Sequence, residues 1–303
     1  MMHIYNNEPE DYSQEAKNIL SSVGYYHECQ PPPVVDVIIT RLKHQIDRSF
    51  LNNYPDLKYI LTATTGLNHI DITECRERDI QIISLKGETE FLSDIAATAE
   101  HTIGLMLSLL RNIPQSFNDV KLHNWDRMTF KGHELKGRNL CILGLGRLGI
   151  QVARIGQTFG MNIQCFDKHT STQYRTTTDL DEALTNSDVV SVHLPYDNDT
   201  HHLLKFESIM KTNPNAYIIN TSRGQIIKEI DLVQCLTNGH LAGVAVDVLE
   251  NEPNVSISPL LRYSLENTNV LITPHIGGCT YESMEATEIF IAQQFSKIVL
   301  HPK

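Results

Sequence analysis

Residues 139–149 read NLCILGLGRLG, and this stretch decides how the chain folds. Its first half is a short apolar run that predicts a buried β-strand. Its second half has glycines at the spacing G-x-G-x-x-G. Gly144 permits a tight turn, Gly146 lets a pyrophosphate approach the backbone, and Gly149 lets the following helix pack against the strand. The stretch therefore predicts the first strand, loop and helix of a nucleotide-binding sheet.

The helix after this loop supplies the second half of the predicted phosphate site. Its first turn includes Arg147 and Leu148, whose backbone N–H groups have no acceptor earlier in the helix. Together with the positive end of the helix dipole, these groups favour a bound phosphate. A loop of this type also occurs in sheets that bind a flavin or S-adenosylmethionine, so further residues must identify the ligand.

An acidic residue at the end of the next predicted strand narrows the choice of cofactor. Asp167 directly follows the run 162–166. A carboxylate at this point accepts hydrogen bonds from the ribose hydroxyls of NAD and repels the 2′-phosphate of NADP. Lys168 and His169 follow directly and weaken that repulsion. We therefore expect NAD as the cofactor, with NADP disfavoured.

Apolar runs alternate with helical patterns along most of the chain, which is typical of α/β proteins with parallel sheets. The runs predicted as strands from residue 139 onward are 139–143, 162–166, 189–194, 216–219, 243–248 and 270–273. Together they predict a doubly wound Rossmann sheet. Earlier runs at 34–39, 58–61 and 81–84 predict a second, smaller parallel sheet.

Two long helical patterns set the predicted domain boundaries. The first extends from Ser93, a candidate N-cap, for about five turns and is apolar on most sides, so we expect it to be buried. The second covers 280–299 and is long enough to return to the N-terminal domain. These patterns predict a substrate domain made of 1–94 and 284–303, and an NAD-binding domain made of 95–283.

The composition excludes several classes of protein. The chain has 303 residues and a formal net charge of −11, which disfavours nucleic acid and anionic membranes as partners. We find no leader pattern near Met1 and no apolar run of membrane-spanning length. The six cysteines lack C-x-x-C spacing, so we expect reduced thiols in the cytoplasm and neither a disulfide framework nor a metal site.

Two further strand ends are expected beside the cofactor, because ligands bind beyond the carboxyl ends of parallel strands. One follows the run 189–194, and the other is the polar turn 220–224. The residues assigned to cofactor binding at these ends are His193, Pro195, Thr200, Thr221 and Ser222. For His193 the simpler alternative is a packed or surface histidine.

Three residues near the ends of the last strands have the chemistry that reduction of a 2-oxo acid requires. Arg223 can hold the carboxylate and the ketone oxygen together through its planar fork. His275 can supply a proton near neutral pH. Glu252 can accept a hydrogen bond from the other imidazole nitrogen and favour the protonated ring. Each residue taken singly is also compatible with an ordinary loop position.

The order of these motifs resembles the D-isomer-specific 2-hydroxyacid dehydrogenases. The segments that carry the resemblance are 144–149 with Asp167, 220–224, 246–253 and 273–278, and upstream 65–71 and 99–102. They extend over nearly the whole chain. The resemblance implies an NAD-dependent oxidoreductase in which Arg223 binds the substrate, Glu252 pairs with His275, and His275 is the general acid–base.

The resemblance also implies where the ligands bind. Asp247 is expected near the nicotinamide, and the loop with Gly277 and Gly278 is expected beside the cofactor, together with Arg223 and His275. In the smaller domain, backbone N–H groups are expected to hold the substrate carboxylate. The residues that provide them are Thr65, Gly66 and Leu67.

For the architecture, the resemblance implies a smaller flavodoxin-like substrate domain hinged to the NAD-binding domain. Members of the family are usually homodimers through the nucleotide-binding domain. The helix that begins near Ser93 and the only tryptophan, Trp125, are expected at that interface.

The substrate stays open within this class. Glu252 disfavours a formate dehydrogenase, whose counterpart pairs a glutamine with the histidine. Arg41 and Lys43 stand where phosphoglycerate dehydrogenases have phosphate-binding cations, and the alternative is a solvated strand end. Hydroxypyruvate, glyoxylate and phosphohydroxypyruvate are all compatible with the sequence. The chain ends at Lys303, so we expect a form without the regulatory domain of the longer phosphoglycerate enzymes.

Two alternatives belong to other classes of protein. One is an NAD-sensing interaction protein similar to the C-terminal-binding-protein corepressors, which share this fold and its triad. The other is an S-adenosylmethionine-dependent transferase, in which the arginine, glutamate and histidine series has no role.

Overall fold

The computed structural model describes residues 1–169 and 171–301, and the chain divides into two compact units. Unit 1 consists of Met1–Ile95 together with the chain from Cys279 onward, and unit 2 is Ala96–Gly278. The sequence analysis places the second boundary at residue 284, which lies inside the helix Tyr281–Leu300. The contacts assign that whole helix to unit 1.

Both units alternate strands with helices. The strands are β1 (Met2–Asn6), β2 (Gly24–His27), β3 (Val37–Thr40), β4 (Tyr59–Thr62), β5 (Gln81–Ser84), β6 (Asn139–Leu143), β7 (Asn162–Phe166), β8 (Arg175–Thr177), β9 (Val189–Val192), β10 (Ala216–Asn220), β11 (Leu241–Val246) and β12 (Val270–Ile272). The α-helices are α1 (Gln14–Val23), α2 (Arg48–Leu51), α3 (Ile72–Glu77), α4 (Thr89–Leu92), α5 (Ala97–Leu110), α6 (Ile113–Lys121), α7 (Arg147–Thr158), α8 (Leu180–Leu184), α9 (Phe206–Ile209), α10 (Glu229–Thr237), α11 (Pro259–Ser264) and α12 (Tyr281–Leu300).

Unit 1 contains a five-stranded parallel sheet in the order β2-β1-β3-β4-β5. This order is the flavodoxin-like arrangement that the resemblance implies. The three predicted runs correspond to β3, β4 and β5. The chain's last helix, α12, contributes Ile291, Ala292 and Phe295 to the same core as Ile4 and Leu20. The C-terminal segment therefore completes the core of the first unit.

The predicted start of the long helix is wrong. Ser93 ends α4 instead, and its Oγ donates to the carbonyl of Glu90 at 2.7 Å. The long helix, α5, begins at Ala97 after Ala96, which makes no side-chain cap bond. Its predicted burial is observed, since eight of its residues are buried: Ala97, Ala99, Thr102, Ile103, Leu105, Met106, Leu109 and Leu110.

Unit 2 contains a seven-stranded parallel sheet in the order β12-β11-β10-β9-β6-β7-β8. From β6 the chain builds outward to β8, then returns to pair β9 with β6 and builds the other half. The reversal between β6 and β9 is the switch point at which doubly wound sheets bind ligands. The six predicted strands are present, and β8 is an additional edge strand.

Both faces of this sheet are covered, as expected for a parallel sheet. Along β6, Leu140 and Ile142 pack in the core with α5, whereas Cys141 and Leu143 pack in the core on the other face. Within the part of the chain that the structure describes, no helix is both long enough and apolar enough to cross a membrane. The six cysteines are unbridged thiols, and four of them are buried.

Candidate active site

The three glycines of the loop after β6 have different surroundings, and those of Gly144 and Gly149 exclude a side chain. Gly144 has φ +95°, and a Cβ there would lie 2.9 Å from the backbone of His193. A Cβ on Gly149 would lie 2.0 Å from the carbonyl oxygen of Gly144. A Cβ on Gly146 would have no contact within 4 Å, so its backbone faces open space. These features fit a loop that turns sharply, packs on its helix and leaves room for a phosphate.

The helix α7 begins directly at this opening. Its N-cap is Gly146, which has no side chain to cap the first turn, where Arg147 and Leu148 lie. Burial lowers the pKa of Arg147. The N-terminus of the helix, with the positive end of its dipole, suits an anionic group at this position.

Asp167 is fixed beside the glycine loop. Its Oδ2 accepts a hydrogen bond from the N–H of Leu145 at 2.7 Å, and its Oδ1 accepts one from the N–H of His169 at 2.8 Å. A carboxylate can accept about four hydrogen bonds, so capacity remains for ribose hydroxyls. Lys168 is paired with Asp199 at 2.8 Å, so its charge is already balanced by another carboxylate.

The loop after β9 has residues that are bonded within the protein. His193 Nε2 lies 2.8 Å from Ser191 Oγ, and burial lowers the pKa of this histidine to about 3. It is therefore a packed, neutral residue. Thr200 is buried and donates from Oγ1 to the carbonyl of Pro195 at 2.8 Å. Both side chains hold the loop in shape, and the packed alternative for His193 fits this contact. The assignment of these residues to cofactor binding stays a prediction.

The same holds for the polar turn after β10. Thr221 is buried with its Oγ 2.7 Å from Thr102 Oγ of α5, and Ser222 Oγ donates to the carbonyl of Leu194. Asn220 closes the turn, because its Nδ2 donates to the carbonyl of Arg223 at 3.0 Å.

Arg223 lies in this turn, partly buried and near Glu252. Burial lowers the pKa of Arg223, and the nearby charge of Glu252 opposes that shift. A Cβ on Gly224 would lie 2.1 Å from the backbone carbon of Leu249. The close approach between these two loops therefore requires a glycine at position 224.

Glu252 and His275 form the predicted pair. Glu252 Oε1 lies 3.0 Å from His275 Nδ1, and the two side chains are 25% and 27% exposed. Because a carboxylate only accepts, Nδ1 carries the proton, and Nε2 is the nitrogen that can exchange one. His275 has φ +56°, a conformation that few non-glycine residues adopt. Such a conformation persists where neighbouring bonds enforce it.

Asp247 provides those bonds. It is only 1% exposed, and its Oδ1 accepts hydrogen bonds from Thr273 Oγ1 at 2.6 Å and the N–H of Ile276 at 2.9 Å. Its Oδ2 accepts from the N–H of Gly277 at 2.7 Å, and its carbonyl accepts from the N–H of His275 at 2.8 Å. The carboxylate therefore holds the loop around His275.

In unit 1 the loop after β4 contains the predicted carboxylate-binding residues Thr65, Gly66 and Leu67. Thr64 Oγ1 donates to the carbonyl of Gly66 at 2.9 Å, and Thr64 Oγ1 also lies 3.0 Å from Thr62 Oγ1. Thr65 is exposed. The turn is therefore shaped by threonine side chains.

Arg41 and Lys43 have carboxylate partners, which counts against their predicted role as phosphate-binding cations. Arg41 pairs with the buried Glu288 of α12 and donates to the carbonyl of Glu10 at 2.9 Å. Lys43 Nζ lies 3.0 Å from Glu10 Oε1. Both positive charges are thus neutralised within unit 1.

His101 belongs to the motif 99–102, but its contacts are not predicted from the sequence. His101 Nε2 lies 3.0 Å from Thr273 Oγ1 and 3.3 Å from Asp247 Oδ1. The available signal is a histidine beside a threonine in a helix whose later residues are mostly apolar. Among residues 1–169 and 171–301, no group of three or more histidine, cysteine or acidic side chains is arranged to hold a metal ion.

The fold and these contacts define a two-unit nucleotide-binding α/β protein with a histidine–glutamate pair at the strand ends. Residues 103–277 match the family model for the NAD binding domain of D-isomer specific 2-hydroxyacid dehydrogenases. The chain belongs to the D-isomer-specific 2-hydroxyacid dehydrogenase family.

Individual relatives agree with this assignment. A glyoxylate reductase from Thermofilum pendens is 35% identical over 260 residues, which cover 82% of this chain and 74% of the relative. A D-3-phosphoglycerate dehydrogenase from Bacillus subtilis is 34% identical over 273 residues, which cover 88% of this chain and 49% of the relative. The chain thus spans about half the length of the phosphoglycerate dehydrogenases that it matches.

A solved structure is similar over nearly the full chain. It is a D-lactate dehydrogenase from Aquifex aeolicus in complex with NAD and lactic acid, with a TM-score of 0.84 and 26% identity. The match covers 98% of this chain and 95% of that chain.

Proposed function

We propose that the protein is an NAD-dependent D-2-hydroxyacid dehydrogenase that reduces a small 2-oxo acid. The observation that carries the proposal is the Glu252–His275 pair at 3.0 Å, with the Arg223 turn packed against the same loop. The candidate substrates are hydroxypyruvate, glyoxylate and phosphohydroxypyruvate. Relatives named for glyoxylate and 3-phosphoglycerate support this class without separating its members.

The residues present fit NAD as the cofactor. The open space at Gly146 and the uncapped start of α7 suit the pyrophosphate, and Asp167 suits the ribose hydroxyls. The pairing of Lys168 with Asp199 leaves the negative charge of Asp167 in place, which favours NAD over NADP. When bound, NADH supplies the hydride for the reduction.

The chain's own residues would bind the substrate and deliver the proton. Arg223 binds the substrate carboxylate and polarises the ketone through its fork. His275 holds the transferable proton on Nε2, because Nδ1 faces Glu252. The Glu252 carboxylate stabilises the charged imidazolium before the proton is given to the ketone oxygen. Backbone N–H groups of Thr65, Gly66 and Leu67 are proposed to bind the carboxylate as well.

We also propose a homodimer formed through an apolar face of α6. Ile113, Phe117 and Val120 follow one another at helical spacing, and all three are at least 48% exposed. Trp125, shortly after the helix, is 89% exposed. The sequence predicts the long helix at the interface. Because that helix, α5, is buried within unit 2, we propose α6 in its place. The Phe117→Glu variant is expected to sediment as a monomer where the unmodified protein sediments as a dimer.

The unbridged cysteines support a reducing compartment, and we propose the cytoplasm as the location. Labelling of Cys29, an exposed thiol, by a thiol reagent in protein taken directly from cells tests this proposal. A fully oxidised Cys29 would contradict it.

The central test measures NADH oxidation with each of the three candidate 2-oxo acids. We expect turnover with at least one of them. Hydroxypyruvate and phosphohydroxypyruvate give chiral products, so for these two we expect oxidation of the D- but not the L-isomer in the reverse direction, and the L-isomer serves as the matched control. The product of glyoxylate, glycolate, is achiral and has no such control. Tight NADH binding without turnover on any substrate would instead indicate an NAD-sensing interaction protein of the corepressor type.

A further inference from the structure

Neighbouring residues of α5 contact the two loops that carry the proposed catalytic residues. Thr102 bonds to Thr221, beside the Arg223 turn, and His101 contacts Thr273 and Asp247, beside the His275 loop. We propose that His101 is a positioning residue for His275 that acts through Thr273 and Asp247. Its effect on catalysis rests on the proposed function, whereas its effect on the loop does not.

The distances fix the direction of these hydrogen bonds. Thr273 Oγ1 lies 2.6 Å from Asp247 Oδ1, and a carboxylate only accepts, so the threonine proton points to Asp247. The hydroxyl oxygen then has only lone pairs to offer His101. His101 Nε2 at 3.0 Å must therefore carry a hydrogen and donate it. With the opposite tautomer, the nitrogen lone pair would face both a lone pair of Thr273 and the carboxylate.

Asp247 passes this restraint to the backbone on either side of His275. Three bonds from Thr273, Ile276 and Gly277 use both carboxylate oxygens. The loop packs closely against the carboxylate, because a Cβ on Gly277 would lie 3.0 Å from Asp247 Oδ2. The loop therefore keeps its geometry only while the carboxylate keeps its orientation.

His101 matters because the Asp247 carboxylate is almost fully buried. A buried carboxylate is stable only with a full set of donors. When the His101 donor is lost, the Thr273 hydroxyl keeps only its bond to Asp247, and the two groups are freer to rotate together. His275 would then leave the left-handed conformation that the loop enforces and lose its alignment with Glu252.

The test compares three variants of the whole protein. His101→Leu removes the donor and keeps an apolar side chain, His101→Gln restores an N–H donor, and Thr273→Val removes the intermediate hydroxyl. Hydrogen exchange at the amides of Ile276 and Gly277, followed by mass spectrometry, reports the loop directly. We expect faster exchange in His101→Leu and Thr273→Val, and near-normal exchange in His101→Gln.

Turnover is measured on the same samples. We expect kcat to fall about tenfold in His101→Leu and Thr273→Val, the size of one hydrogen bond to a charged group. His101→Gln is expected to recover most of the loss. The matched control is His240→Leu, because His240 Nε2 lies 3.1 Å from Thr212 Oγ1 in the same unit without touching the loops of the site.

The outcomes separate the inference from the proposed function. If the unmodified protein turns over none of the substrates, the proposed function fails, and the exchange measurement still decides the role of His101. If His101→Leu exchanges and turns over like the unmodified protein, the inference is overturned. Equal losses in His101→Gln and His101→Leu also overturn it, because they would indicate a packing role. Should His101→Leu fail to fold, Thr273→Val and His101→Gln still give these readings.

Discussion

Each unit contains a basic side chain paired with a glutamate, and the two pairs differ in how deeply they are buried. In unit 2, His275 and Glu252 are each about a quarter exposed, on loops at the ends of parallel strands. In unit 1, Glu288 is 1% exposed beneath Arg41, and the pair joins α12 to the end of β3. Under the proposed function, the first pair exchanges a proton with a ligand, whereas the second pair is buried within the fold. Similar residue types would then serve chemistry in one unit and stability in the other.

The largest effect is expected from His275→Ala. Removing the proton donor is expected to lower turnover by about 10²–10⁴-fold, because the ketone oxygen loses its acid as hydride arrives. Steady-state NADH oxidation measures this loss, and calorimetry checks that the fold is retained. His240→Ala is the matched control. Turnover that stays within about twofold of normal in His275→Ala would remove this residue from the acid–base role.

Arg41→Met tests the buried pair and is expected to lower stability without lowering activity. The variant leaves the Glu288 carboxylate buried without its cation, so we expect a loss of about 3 kcal/mol in the free energy of unfolding. Denaturant titration measures this loss. Activity per folded molecule is expected to stay normal. The double variant Arg41→Met with Glu288→Leu is the control, and it is expected to recover most of the stability.

The same variant has an expected pH dependence. Burial raises the pKa of Glu288, and the Ser13 N–H and Arg41 oppose that shift, so removing Arg41 raises the pKa further. A carboxyl group with a raised folded-state pKa favours folding below its unfolded pKa, and this contribution is lost as pH rises through the folded pKa. The destabilisation by Arg41→Met is therefore expected to be larger at about pH 7 than at about pH 5. A loss that grows towards acid pH would contradict this account of Glu288.

A smaller effect is expected from Glu252→Gln, which keeps a hydrogen-bond acceptor and removes the charge. A neutral partner stabilises the imidazolium less, so we expect about a tenfold lower rate of reduction at neutral pH. Steady-state NADH oxidation measures kcat. Glu266→Gln, at an exposed glutamate, is the control. An unchanged kcat in Glu252→Gln would show that Glu252 acts by position alone.

How much of the fold the sequence predicts depends on whether each strand is a continuous apolar run. The strands β6 and β10 are such runs and are predicted correctly. The strands β2 and β8 are missed because their sequences, GYYH and RTT, contain no aliphatic residues. The strand β1 is missed because MHIYN alternates without an apolar run.

The site divides in the same way. The chemistry proposed for Arg223, Glu252 and His275 can be inferred from the sequence, because few residue types can do these tasks. The role proposed for His101 cannot, since it depends on a contact with Thr273 across 172 positions in the chain. Arg41 likewise pairs with Glu288, 247 positions away in the chain. This contact counts against the phosphate-binding role that a cation near a strand end suggests.

The smallest effect is expected from Lys43→Met. This variant tests whether Lys43 of unit 1 binds the phosphate of a phosphorylated substrate. Lys43 and Glu10 are 61% and 64% exposed, so their ion pair is well solvated and contributes little to stability. The hydrogen bond with Glu10 raises the pKa of Lys43, which stays charged but has its charge balanced. We expect no measurable change in the unfolding midpoint, and equal KM values before and after substitution for hydroxypyruvate and for phosphohydroxypyruvate. Glu10→Gln is the matched control, because it releases Lys43 from its partner. Lys43 would bind phosphate if Lys43→Met raised KM for phosphohydroxypyruvate alone and Glu10→Gln lowered that KM. In that case an ion pair of unit 1 would also contribute to substrate binding, and the contrast between the two units would be weaker.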